Sequence, residues 1–218
     1  NPVDLSVTNI DNDAAGVSIT QLGVFTAVTE GGATRPYTVH LTAQPTANVT
    51  VNISSNSQVT TSATSLIFTP ANWNVYQTVT VTAVDDALPE GFHTATLFHT
   101  STSADGLFNG LTISYVTVTI TDNDTAGVSI SQTGGSTAVT EGGATDSYNV
   151  VLTAQPAANV IVDITGNSQV ATSASSLTFT PANWNVAQTV TVTAVNDLLS
   201  EGTQTVTLTH SSTSIDGL

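Results

Sequence analysis

The 218-residue sequence contains no cysteine, no methionine and no lysine, and Arg35 is its one strongly basic residue. Without cysteine there are no disulfides, no thiolate metal ligands and no cysteine nucleophile. Without clustered Lys and Arg nothing neutralises phosphate, so nucleic acid and anionic membrane surfaces are excluded as partners. No apolar run approaches the ~20 residues of a membrane-spanning helix, and the opening NPVDLSVTNI lacks a signal-peptide pattern, which reads as a mature or excised chain. Charge is scarce, at 8% of residues, and one-sided: 16 Asp plus Glu give a formal net charge of −15. What remains is rich in Thr and Val, a composition suited to β-strands with hydroxylated outer faces, and 39% hydrophobic residues suffice for a packed core. The acidic balance makes divalent cations the natural partners.

An internal repeat organises the chain. TAVTEGGAT recurs at 26–34 and 137–145, FTPANWNV at 68–75 and 179–186, and QTVTVTAV at 77–84 and 188–195. Glu141 follows Glu30, Trp184 follows Trp73 and Asp122 follows Asp11 by the same 111 positions. Each copy contains seven short alternating segments separated by turn residues, the pattern of an all-β, immunoglobulin-like sandwich. In copy one these are 17–28, broken at Gly23, then 37–42, 49–53, 66–69, 78–84, 93–100 and 112–121. The domain reading is 1–10 as the last strand of a preceding repeat or a donor strand, 11–121 as repeat 1 and 122–218 as repeat 2. Residues 1–10 align with 112–121, placing Leu5 and Val7 at the positions of Val116 and Val118, whereas repeat 2 runs only to Leu218, the counterpart of Leu107, so its final strand is missing.

Antiparallel strands joined in succession impose a parity rule. The turns after the first and fifth segments and the exit of the seventh fall at one end of the sandwich. Glu30 lies in the first of these, Asp85, Asp86 and Glu90 in the second, and Asp122, Asn123 and Asp124 at the third. Copy two supplies Glu141, Asn196, Asp197 and Glu201, and Asp11 and Asp13 follow the extra strand. Eleven of the 16 carboxylates therefore belong to three clusters at the tips. Gathered carboxylates repel one another, and one Arg cannot compensate them. A bound cation can. Ca²⁺ takes six to eight hard oxygen ligands in flexible geometry, whereas Mg²⁺ demands a tight octahedron and Zn²⁺ prefers His or Cys. For a single Asp-Asn-Asp the simpler reading is an Asx turn that ends a strand. Convergence of several such groups favours Ca²⁺.

The VTEGG turn, the VDD or VND followed by EG, and the DND leading into AGV resemble the Calx-beta family over nearly the whole chain. That resemblance implies two tandem Calx-beta-type sandwiches, with Ca²⁺ ligands at Glu30, Asp85, Asp86, Glu90, Asp122 and Asp124, and at Glu141, Asp197 and Glu201 in copy two. It also implies tandem repeats of a large bacterial surface protein. Two departures stand out: Asn196 replaces Asp85, and the turns 55–62 and 166–173 carry no acidic residue.

The remaining chemistry-bearing residues point away from catalysis. His99 and His210 are repeat-equivalent and in phase with Leu97 and Leu208, which predicts packed strand-end residues. His93 becomes Gln204 and His40 becomes Val151, so neither pair shares a chemical role. There is no nucleophile elbow and no carboxylate pair across a cleft. Trp73 and Trp184 read as covers for the core's end; carbohydrate stacking on them is possible but not favoured. The expected function is a non-catalytic segment of a secreted or cell-surface adhesin or fibre, with Ca²⁺ stiffening the domain junctions and neighbouring repeats or identical subunits as head-to-tail partners. The alternative is a calcium-binding spacer or accessory module of a large secreted enzyme.

Overall fold

Alternation of apolar and hydroxylated residues is carried into the structure strand by strand. The computed structural model describes residues 3–23 and 25–216. Asn1 and Pro2 of the proposed donor strand, Val24 of the predicted first segment, and Gly217 and Leu218 at the end of repeat 2 lie outside those residues. Among the described residues all regular structure is β except one short 3₁₀ turn at Thr133–Gly135. Contacts divide the chain into two units, residues 1–85 with 92–122, and residues 86–91 with 123–218.

The first unit contains β1 (Val17–Gln21), β2 (Thr26–Thr29), β3 (Arg35–Leu41), β4 (Val49–Ser54), β5 (Val59–Thr61), β6 (Ser65–Phe68), β7 (Gln77–Ala83), β8 (His93–Ser103) and β9 (Val116–Thr121). They form a four-stranded sheet, β1-β3-β7-β5, and a five-stranded sheet, β2-β9-β8-β4-β6. Tyr37, Val39 and Leu41 of β3, Val79 and Val81 of β7, Val49 and Val51 of β4 and Leu97 of β8 alternate into a common core and are buried. Trp73 packs partly buried against that core, and its carbonyl accepts from the Leu41 amide at 2.9 Å.

The predicted break at Gly23, where φ is 99°, is a change of sheet. Before it β1 pairs antiparallel with β3; after it β2 pairs parallel with β9, so the all-antiparallel assumption fails at this strand. The turn predicted at 55–62 contains the extra strand β5, paired with β7. His99 is also not at a strand end: it sits within β8, 6% exposed, with Nε2 2.9 Å from the Tyr37 hydroxyl. The inward phase was legible; the partner lies across the sandwich, 62 residues away in sequence.

The second unit contains β10 (Val128–Gln132), β11 (Asp146–Leu152), β12 (Val160–Thr165), β13 (Val170–Thr172), β14 (Ser176–Phe179), β15 (Gln188–Ala194) and β16 (Thr209–Ser214), ordered β10-β11-β15-β13 and β14-β12-β16. Its core repeats the first, around Tyr148, Val150, Val162, Phe179 and Val190. One difference matters. Residues 137–140, identical in sequence to β2, form no strand, and β16 begins at Thr209 whereas β8 begins at His93, the counterpart of Gln204. Both missing stretches correspond to the segments that pair with β9 in the first unit.

Candidate metal centre

The geometry of the candidate site starts from strand pairing within the first unit. In the β2–β9 pair Thr29 is opposite Thr121, and the next amide, that of Glu30, donates to the Thr121 carbonyl at 3.1 Å. On the other side of β9, His93 is opposite Ile120. Glu30, His93 and Asp122, the residue after Thr121, are thereby brought to one corner of the five-stranded sheet. Gly31 follows Glu30 with φ 60° and Gly91 precedes β8 with φ 66°, left-handed conformations that turn the chain sharply beside each candidate Glu. The TEGG and EG motifs are thus backbone requirements as well as carriers of carboxylates.

Glu30 is 2% exposed, a burial that makes its charge expensive unless opposite charge or hydrogen-bond donors stand close. Glu30 and His93 each belong to a group of side chains able to hold a metal ion, with ligand atoms within 4.8 Å of each other. Sequence reasoning set His93 aside because Gln204 replaces it in copy two; its pairing with Ile120, invisible in one sequence, is what brings it to Glu30. Asp122 is half-buried at the exit of β9, and Asp85 is exposed just beyond β7.

In the second unit's own segments, Asp86 and Asp124 present carboxylate oxygens within 4.8 Å of each other in a second such group, and Glu90 also takes part in a metal-capable group. The Asx-turn reading holds alongside: Asp86 Oδ1 accepts from the Leu88 amide at 2.8 Å, as does Asp197 Oδ1 from Leu199 at 2.7 Å and Asp11 Oδ1 from Asp13 at 3.0 Å. Asn123 is exposed.

Copy two's candidates are arranged differently. Glu141, Asn196 and Asp197 are exposed, and Glu201 Oε1 accepts from Gln169 Nε2 at 3.0 Å. The turns do meet as parity predicts, since a Cβ built on Gly142 lies 3.4 Å from Asn196 Nδ2. Even so, among the described residues no three of Glu141, Asp197, Glu201 and their acidic neighbours in that copy come close enough to share an ion. Glu30 is fixed by the β2–β9 pair, and residues 137–140 are not in a strand. Asp11 and Asp13 are exposed, and so are Leu5 and Val7 at 87% and 79%.

The AGV that follows each Asp-Asn-Asp docks onto the end of the repeat's second long strand. Thr42 donates through its amide to Gly16 O at 3.0 Å and through Oγ1 to Ala14 O at 2.7 Å; Thr153 does the same with Gly127 O at 2.9 Å and Thr125 O at 2.7 Å. A Cβ at Gly16 would stand 2.8 Å from Thr42 Oγ1, which accounts for the glycine.

No family model matches the sequence, and no curated protein does. Among solved structures the chain is similar to CBD12 from CALX1.2, at 15% identity and TM-score 0.37 over 80% of this chain and 73% of that one. It is also similar to the calcium binding domain CBD12 of CALX1.1, at 16% identity and TM-score 0.37 over 80% and 74%, and to the YadV chaperone, at 9% identity and TM-score 0.35 over 92% and 94%.

Proposed function

We propose that the chain is a non-catalytic structural repeat segment of a secreted or cell-surface adhesin or fibre, in which Ca²⁺ bound at the Asp-Asn-Asp joins stiffens the array. The observation that carries this reading is the corner at the end of β9. Strand pairing holds a buried Glu30 beside His93 and Asp122, and the Asp86–Asp124 pair lies one and two residues further along the chain from Asp85 and Asp122. Carboxylates with nearby amides and carbonyls are the hard, adaptable ligand set of Ca²⁺. An ion there ties the end of one repeat to the opening of the next, so the short join loses bending freedom. The alternative, an accessory module of a large secreted enzyme, uses the same ion chemistry; a catalytic domain in the flanking sequence would favour it over a fibre.

Thermal unfolding of the 218-residue chain in EDTA and in millimolar calcium tests the proposal. An ion at a hundredfold excess over its Kd stabilises the state it binds by about 2.7 kcal/mol, and ~1 kcal/mol moves the Tm of a single repeat by roughly 4 °C. The expected result is a Tm rise in calcium of that order or more, smaller in magnesium, and absent in Glu30→Gln, which keeps the side chain's shape and removes its charge. Identical melting in EDTA and calcium would sink the proposal. A response to zinc alone would replace calcium with a transition metal held through His93.

A further inference from the structure

The five-stranded sheet of the first unit buries one face in the core and leaves the other to solvent. Alternation sends Thr94 and Thr96 of β8 outward opposite Thr119 and Thr117 of β9. Three rings interrupt this hydroxylated surface. Leu97 and Val116 are opposite one another and fully buried, so the next residue beyond each, Phe98 and Tyr115, emerges on the outer side. Thr26, buried opposite Val118 across the parallel pair, is preceded by Phe25. Phe98, Tyr115 and Phe25 thus step diagonally over the neighbouring strands β8, β9 and β2, at 59%, 63% and 54% exposure.

The fold does not require these rings. In the second copy of the repeat Phe25 becomes Ser136 and Phe98 becomes Thr209, while the inward-facing Leu97 and His99 keep their identity as Leu208 and His210. Ile67, exposed on the same face, becomes Thr178, and the buried Phe68 beside it stays Phe179. The differences fall on outward positions of the first copy alone. Exposed apolar residues gathered on one face mark an interaction surface.

We propose that this face binds an extended, uncharged β-1,4-linked polysaccharide of the cellulose or chitin type, with Phe98, Tyr115 and Phe25 stacked beneath its sugar rings. A pyranose in such a chain presents apolar C–H faces above and below and polar groups around its edge. Aromatic rings take the faces, and Thr hydroxyls, each both donor and acceptor, take the edges. Charge selects against other occupants. The five strands of this sheet contain no Asp, Glu, Lys or Arg, so they offer no ion pair to a charged ligand. In a chain of net charge −15 an anionic polymer is repelled, and a second copy brings the same charge against the first. A sheet surface suits a ribbon lying across it, whereas a chain end needs a cleft. Trp73 is not part of this face; it packs partly buried against the core. None of the three rings is a candidate metal ligand, so binding is expected in calcium and in EDTA alike.

Pull-down of the 218-residue chain on microcrystalline cellulose and on chitin particles, in both conditions, tests the proposal, with sedimentation velocity run on the same samples. Saturable binding is expected, with release by the soluble hexasaccharide of the bound polymer. Phe25→Ser and Phe98→Thr, which install the residues of the other copy, and Tyr115→Ser should each weaken binding on the order of tenfold. The triple variant should keep the wild-type Tm and not bind, and Tyr115→Phe, which keeps the ring, should bind as wild type. Four results overturn the proposal: no binding to either particle, binding that the triple variant retains, equal binding to the anionic polymer alginate, or a concentration-dependent dimer that the triple variant abolishes. The last assigns the face to a second copy of the chain.

Discussion

Tyr37 and His99 illustrate what a buried polar pair does in a core of Val, Leu and Phe. Each polar atom would cost stability if left alone, and at 2.9 Å they satisfy one another, with the rings edge to face at 85°. Tyr148 and His210 repeat the pair at 2.9 Å and 87°. Burial pushes the Tyr37 hydroxyl upward and the His99 imidazole below its ordinary value, the latter against a smaller opposite pull from the Ser114 backbone. The sign for stability follows. Unfolded His99 takes up its proton near pH 6.5 and folded His99 only at lower pH, so stability present above about pH 6.5 is lost as the pH falls toward the folded value. The Tm of the chain is expected to fall between pH 7.5 and pH 5.5, and His99→Gln should flatten part of that slope. His210, shifted in the same direction by burial, supplies a further part of the slope that His99→Gln leaves in place. Tyr37→Phe leaves the imidazole Nε2 without its partner and should cost roughly 1–3 kcal/mol, read from denaturant midpoints.

At the scale of elements, identical sequence takes two structures. TAVTEGGAT is a strand and turn in the first unit and an unpaired stretch and turn in the second. Local propensity cannot make that difference. The strand β2 has one neighbour in its sheet, β9, and without such a neighbour four residues do not hold a ladder. Amide exchange measured by mass spectrometry or NMR should show protection at 26–29 and fast exchange at 137–140. Val118→Asp in β9, which puts a carboxylate at a fully buried position, should abolish the protection at 26–29 and destabilise the unit by about 3 kcal/mol or more. Equal protection of the two stretches in a dilute monomer would contradict this account.

Over the whole molecule the governing quantity is charge. A net charge of −15 with one Arg repels itself, and the carboxylates are gathered at repeat tips instead of being spread along the strands. Under the proposed function, cation binding at those tips would relieve local repulsion and crosslink consecutive segments. Small-angle scattering should therefore report a tandem that bends more freely in EDTA than in calcium, with no such change in Glu30→Gln. Profiles that superimpose across EDTA and calcium in the wild-type chain would separate any stabilising ion from a stiffening one.

The sequence by itself determined the all-β sandwich class, the 111-residue repeat, the inward phase of strands such as β7 and β9, a strand break at Gly23 and the gathering of acidic residues at turns. Those features are local or periodic: alternation, turn chemistry and self-similarity can be read from one chain. Only the tertiary structure decided that β2 runs parallel to β9, that His93 stands by Glu30 and that His99 bonds Tyr37. Each of these depends on which distant segments become neighbours. Such pairings are chosen by the packing of whole sheets, and no single stretch of sequence encodes them.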